Sequence, residues 1–319
     1  MASSASKVRL RQLREKVIEY VITGAGLTGV IALLLIVVFI GREALPLLFD
    51  DEQSKIASLA KMFLPQVVKA GKPATFVWQP VSNIPKMSMI PLFVGTLKVT
   101  VIAMMMAAPV GVAAALFSSE FAPRKLKEFV KPVVELLAGI PSVVIGFFAL
   151  MTMATFFQDT FGLQYRLNAL VAGVAMAIAI VPVVFTVSED ALATVPRSYR
   201  EASLALGATR WETAWRVVLP AAAPGVLAAC VLGFGRAIGE TMIVLMASGN
   251  AAIVSAGLTD STRTLSATIA AEMGEVVVGS AHYSVLFFIG VQLFVVTLAL
   301  NLSAGSFVRW TLRRLGGKQ

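Results

Sequence analysis

The chain has 319 residues, of which 57% are hydrophobic and only 14% charged, with a net charge of +9 and a single cysteine. Soluble domains run at about 45–50% apolar and about 25% charged residues, so this composition excludes an ordinary soluble protein and points to one embedded in lipid. The positive charge does not mark a nucleic-acid surface, because the basic residues sit at the ends of apolar runs and no stacking aromatics interleave with them.

Taken in order, apolar runs cover 21–40, 91–117, 133–156, 167–186, 221–247 and 283–306. A chain in lipid must satisfy its backbone polar groups internally, so the prediction is an all-α integral membrane protein with six transmembrane helices. The first run is longer than a signal-peptide core and has no small-residue cleavage site behind it, so it reads as a retained anchor. Four basic clusters flank the runs: Lys7, Arg9, Arg11, Arg14 and Lys16; Arg124, Lys125, Lys127 and Lys131; Arg197, Arg200, Arg210 and Arg216; Arg309, Arg313, Arg314 and Lys318. Single crossings put all four on one side, together with both termini. The positive-inside rule makes that side the cytoplasm of a bacterial inner membrane. The expected division is 1–41 as a cytoplasmic N-terminus and anchor and 42–90 as an external cap without a separate domain. The core is 91–306 with a cytoplasmic loop at 188–220, followed by a basic tail at 307–319. The segment 248–281 reads as a second external loop.

Within the runs, Pro141 and Pro182 are expected to kink their helices. Glu135 falls near the cytoplasmic end of the third span, where a cap or loop contact is expected. His282 stands at a span edge without a carboxylate or second imidazole at useful local spacing, and is read as an interfacial polar residue. Cys230 lies in an apolar run, so no disulfide or thiolate metal site can form within the chain, and no metal site is expected.

The loop between the fourth and fifth spans carries the most information. Pro196 suits a first helical turn, Gly207 the left-handed position that ends a helix, and Thr209 with Glu212 forms a capping box. Two short helices meeting at a corner follow, the second limited by Pro220. On spacing alone this is a surface hairpin. However, Glu201-Ala202-Ser203, three residues, Gly207, nine residues and Val217-Val218-Leu219-Pro220 resemble the EAA signature of ABC-importer permeases. Ser203 stands where that family often has alanine and Val217 where it often has isoleucine. The resemblance implies a type I ABC-importer permease fold. It also makes Glu201, Ala202, Ser203, Gly207, Leu219 and Pro220 part of a coupling helix that docks on a cytoplasmic ATPase.

Three further motifs resemble permeases of the phosphate-specific (Pst) system: Gly95-Thr96-Leu97, Glu135 to Val144 (ELLAGIPSVV), and Gly235-Arg236-Ala237-Ile238-Gly239-Glu240-Thr241-Met242. The long external segment with Phe76, Trp78 and Pro80 favours the PstC type over the PstA type. That resemblance implies a second homologous permease (PstA-like), an ATPase dimer (PstB-like), an external phosphate-binding protein (PstS-like), and inorganic phosphate as cargo. The sequence itself holds no G-x-x-x-x-G-K-[ST] loop, so this chain is expected to bind neither ATP nor another cofactor, ATP being used by the partner subunits. Gly233, Gly235 and Gly239 are read as small residues allowing close helix contact.

Arg236 and Glu240, four apart within the fifth run, are expected on one helical face at a depth where charge is costly and commonly marks a pathway. Two readings stand: a mutually neutralising pair that pins packing, or a substrate path. In the second, the guanidinium fork takes a phosphate oxyanion while Glu240 accepts from its protonated oxygen. Thr241 either lines that path or bonds back to its own helix. Lys98, about two turns into the second span, either snorkels outward or attracts anions. Rival functions are a same-architecture permease for molybdate or sulfate, and a secondary transporter, which would call for midplane coupling acids and an inverted repeat.

Overall fold

The computed structural model describes residues 2–67 and 74–315; of the side chains, those of 1–13, 304 and 307–319 lie outside the described residues. The expectations for Lys7, Arg9, Arg11 and the basic tail therefore fall outside them. Ten helices are used below: α1 (Ala2–Ala44), α2 (Ile90–Glu120), α3 (Arg124–Ala138), α4 (Ser142–Phe161), α5 (Ala169–Ala193), α6 (Arg197–Ala205), α7 (Arg210–Gly239), α8 (Met242–Ala247), α9 (Leu265–Glu272) and α10 (Ala281–Leu315). Among the described residues, six stretches are long and apolar enough to cross a membrane: Arg14–Phe49, α2, α4, α5, α7 and Ala281–Ser303.

The core is a seam of small side chains. Ala103 and Ala107 of α2 and Ala172 and Ala175 of α5 are fully buried. A Cβ at Gly173 would come within 2.5 Å of Ile102 Cγ2. Where lipid tails offer no hydrophobic drive, helices associate by such close approach. On the other face of α5, Gly233 of α7 packs so that a Cβ would lie 2.9 Å from Val184 Cγ2, while one on Gly235 would meet only Asn301 Oδ1 at 3.8 Å, an ordinary contact, and Gly239 faces open space. Of the three glycines, only Gly233 is a tight helix contact. Over Val30–Ile40 α1 is apolar all round, and it touches the rest of the protein chiefly along α10, where Phe39 meets Phe287 edge-on at 5.7 Å.

Three contacts with the sequence expectations need correction. Pro141 does not kink a span. It is the extended residue before α4, and the run 133–156 is split into the amphipathic α3, which buries no residue, and a separate crossing helix. Pro at the position before the first turn is compatible with helix initiation, whereas inside a helix it would remove a bond. Glu135 accordingly lies on the exposed part of α3. Pro182, by contrast, is inside the unbroken α5. Pro220 does not end the helix that begins at Arg210, because a wide π turn at Ala214–Val218 relieves the i−4 clash and the helix continues to Gly239.

The described residues of 42–67 and 74–89 form a cap: short turns at Pro46–Phe49, Asp51–Ile56 and Leu59–Phe63, then a two-residue antiparallel pair, Trp78–Gln79 with Lys86–Met87. Asp50 and Ser58 supply side-chain caps. Leu47, Met62, Trp78 and Met89 share one apolar cluster with Leu265, Leu286 and Ile289, so this segment has no core of its own. It occupies the same end of the bundle as 248–281, since Gln53 donates to the Gly279 carbonyl and Trp78 to Glu272. The ends of α2 and α5, with α3 and α6, gather at the other, basic end.

Candidate functional site

The fifth crossing does not run on to Ala247. α7 stops at Gly239, and Glu240 is extended, with φ −67° and ψ 128°. Its Oε1 accepts from the backbone N–H groups of Thr241 at 3.2 Å and Ile243 at 3.5 Å, turning the chain into α8. Thr241 Oγ1 donates back to the Gly239 carbonyl at 3.2 Å. Arg236 and Glu240 are therefore not two residues on one helical face. No ion pair joins them, and the Arg236 guanidinium has no hydrogen-bond or ion-pair partner among the described residues. Arg236 occupies the last turn of α7, where the helix dipole favours a cation. The mutually neutralising pair is not formed.

Beside this break, part of 248–281 inserts into the protein, so it is not simply an external loop. Thr262, Thr264, Ser266 and Thr268 are buried, and Ser266 Oγ donates to the Glu240 carbonyl at 2.7 Å. α2 receives the insertion. A Cβ on Gly95 would lie 2.1 Å from the Arg263 carbonyl, and Thr96 Oγ1 accepts from the Leu265 N–H at 3.0 Å. The Gly95-Thr96 motif thus opens room for the inserted segment and caps its helix. Lys98 does not snorkel freely: its Nζ donates to the Gly257 carbonyl at 2.9 Å. No hydrogen bond or ion pair among the described residues joins Lys98 to Arg236, Glu240 or Thr241.

Sequence reasoning missed a hub at the cap end. Glu272 accepts from Trp78 Nε1 at 3.0 Å, pairs with Arg263 at 2.8 Å and with His282 Nε2 at 2.8 Å. His282 therefore does have a carboxylate, ten residues back and brought in by the turn between α9 and α10. A cleft of about 750 Å³ opens beside the hub, lined by Gln79, Ser82, Glu275 and His282 among others.

At the basic end the expected corner is present. Gly207 has φ +86°, and Thr209 and Glu212 form the capping box, with the Glu212 N–H donating to Thr209 Oγ1 at 3.2 Å and the Thr209 N–H to Glu212 Oε2 at 2.9 Å. Glu201 and Ala202 are exposed on α6; Ser203 Oγ shares a 2.9 Å hydrogen bond with Thr213 Oγ1. Leu219 and Pro220 lie in the body of α7 beyond the π turn, away from the corner. The residues that fasten this end escaped the sequence. Arg200 forks onto Glu120 at 2.7 Å, and that hydrogen bonding, against partial burial, holds the guanidinium above its ordinary pKa. Lys127 and Lys131 clamp Glu189, only 2% exposed, at 2.7 and 3.1 Å, and Lys131 also reaches Asp190 at 2.9 Å. Its hydrogen bonds to Asp190 and Glu189, against partial burial, raise the Lys131 pKa. An acidic pair just past the end of the fourth apolar run, Glu189-Asp190, across from the basic cluster at 124–131, was the available signal.

This arrangement of six crossings with an exposed helical corner at the basic end is that of a polytopic membrane protein. Residues 107–317 match the family described as the binding-protein-dependent transport system inner membrane component, and the chain belongs to it. It is 35% identical over 90% of its length to the probable ABC transporter permease protein YqgH of Bacillus subtilis (strain 168), covering 88% of that protein. It is 38% identical to the phosphate transport system permease protein PstC 1 of Mycobacterium tuberculosis, over 69% of this chain and 72% of that one. Against PstC of Mesorhizobium japonicum the identity is 34% over 76% of this chain and 77% of the relative. Among solved structures, an inward-facing MetNI methionine ABC transporter aligns with TM-score 0.54 at 20% identity, over 70% of this chain and 97% of the other. A bacterial alginate ABC transporter aligns with TM-score 0.52 at 17% identity, over 88% and 94%. These likenesses show the fold, that of a type I ABC-importer permease.

Proposed function

We propose that this chain is a translocating subunit of an ATP-driven importer that carries inorganic phosphate into a bacterial cytoplasm. The observation that carries the reading is the identity of 34–38% to PstC permeases across 69–76% of the chain. The relatives' names supply the cargo, and the family's description supplies the dependence on an external binding protein. In this reading a PstS-like protein delivers phosphate, a PstA-like permease completes the path, and a PstB-like ATPase dimer hydrolyses ATP. This chain binds no nucleotide. Both termini face the cytoplasm, and lipid surrounds α1 and the outward faces of the bundle.

Within the path, Arg236 offers an unpartnered guanidinium fork, and Glu240 uses only Oε1 to turn the chain. Glu240 Oε2 is then placed to accept from a protonated phosphate oxygen, a proton that sulfate lacks. Thr241 and Lys98 act beside them, Lys98 by its charge on the cap side. On the cytoplasmic side Glu201, Ala202, Ser203 and Gly207 present the docking corner, and Leu219 and Pro220 continue it into α7.

The test is uptake of radiolabelled phosphate, normalised to assembled complex, in Arg236→Lys, Arg236→Met and the double Arg236→Met with Glu240→Met. Arg236→Lys keeps charge but loses the fork, and uptake should fall below about a tenth of the parent. The double variant, free of an uncompensated charge within the span, should assemble normally and remain inactive. Recovery of uptake in the double variant removes Arg236 from the path. Stimulation of ATP hydrolysis by molybdate or sulfate instead of phosphate would reassign the cargo.

A further inference from the structure

α6 is fastened to the rest of the chain chiefly by polar contacts. None of its nine residues is buried. Its larger apolar side chains stay half-exposed, Tyr199 at 53% and Leu204 at 45%, and the following Leu206 is 90% exposed. What holds it is chiefly one guanidinium. Arg200 Nε donates to Glu120 Oε2 at 3.0 Å, and Nη2 donates to Glu120 Oε1 at 2.7 Å and to the Leu192 carbonyl at 3.0 Å. Nη1 donates to the Val195 carbonyl at 2.6 Å. The two side chains are only 21% and 11% exposed, which sets this pair apart from a solvated surface ion pair.

Glu120 is the last residue of α2, and Leu192 lies in the last turn of α5. An apolar helix face can slide over its neighbour at small cost. A forked, partly buried ion pair with two further carbonyl acceptors fixes both distance and orientation, so α6 cannot shift without carrying those two helix ends or breaking charge-assisted bonds. α2 then runs unbroken from Glu120 back to Thr96, about 36 Å at 1.5 Å per residue. There Thr96 accepts from Leu265, and the adjacent Ser266 holds the Glu240 carbonyl. A contiguous set of contacts thus links α6 to the interrupted span.

We infer that Arg200 and Glu120 are a positioning pair, the strut through which displacement of α6 by a docked ATPase moves α2 and α5 and thereby the break at Glu240. This rests on α6 being the docking element, as proposed above. The competing account is that the pair only holds the corner's fold.

The experiment uses the complete transporter in proteoliposomes with its binding protein, and reads three quantities: ATPase retained on the permease, phosphate-dependent stimulation of ATP hydrolysis, and phosphate taken up per ATP. Arg200→Lys and Glu120→Gln should retain the ATPase at parent levels while uptake per ATP falls at least fivefold. Parent-level uptake per ATP in both variants overturns the strut. So does loss of ATPase in proportion to loss of uptake, which assigns the pair to the corner's fold. Leu206→Glu, on the exposed face, separates the two layers: it should strip the ATPase. If Leu206→Glu keeps the ATPase at full occupancy, α6 is not the docking element and the underlying reading falls, whatever the Arg200 variants do.

Discussion

At Glu272, burial alone would favour the neutral acid. Hydrogen bonds from His282 and Trp78 and the charges of Arg263 and His282 outweigh it, and the carboxyl titrates below its usual range. A depressed folded pKa stabilises the fold above the unfolded value, about 4.3 for glutamate, and that contribution is lost as pH falls through the folded value. Hydrogen exchange across 74–89 should therefore stay slow from neutral pH to about 5, and quicken below about 4. Glu272→Gln should remove this pH step and loosen the same segment at neutral pH by about 1–3 kcal/mol, by leaving buried donors unpaired. An unchanged exchange profile in Glu272→Gln would show that the apolar cluster around Trp78 holds the cap unaided. None of this was legible locally, because Trp78, Arg263, Glu272 and His282 come from four separate stretches of chain.

At the scale of elements, local chemistry was read well and helix boundaries less so. The corner at Gly207 was legible because each of its signals acts within four residues: a proline start, a left-handed glycine and a Thr-x-x-Glu box. Nothing lies within 4 Å of a Cβ built on Gly207, so a substitution there meets only the backbone penalty of the left-handed conformation, about 1–2 kcal/mol. Gly207→Leu should thus leave the spans intact, tilt α6 against α7, and weaken ATPase binding or free hydrolysis from control by phosphate. Normal uptake with normal ATPase retention in that variant would count against the corner as the coupling element. The stop at Gly239 was harder to read, since Arg236 and Glu240 look like a neutral i,i+4 pair and the apolar run continues to Ala247. What breaks the helix is the inserted segment, whose Ser266 holds the Glu240 carbonyl.

For the whole molecule, alternation of crossings separates two ends, and the structure gathers at each end polar residues from distant parts of the chain. Glu120, Lys127, Glu189 and Arg200 meet at one end, and Gln53, Trp78, Glu272 and His282 at the other. With Cys230 replaced, cysteines at the exposed Asp51 and at Val278, 77% exposed, should react with a membrane-impermeant thiol reagent added to intact cells. A cysteine at Leu206 should react only after permeabilisation. Labelling of Leu206 in intact cells would invert the orientation.

Spans, their number and the basic end followed from composition and run length, because in lipid each crossing must close its own backbone hydrogen bonds and each cation must find water. The helical corner followed too, from residues no more than a few positions apart. Tertiary structure decided what depends on distant segments meeting. It set where the fifth span breaks, which of three glycines is a true contact, and that 262–268 lies inside the protein. It also decided that Arg200 finds Glu120 across 80 residues of chain. Those outcomes turn on which buried polar groups find partners, and a partner far along the chain leaves no periodic trace in the sequence around either residue.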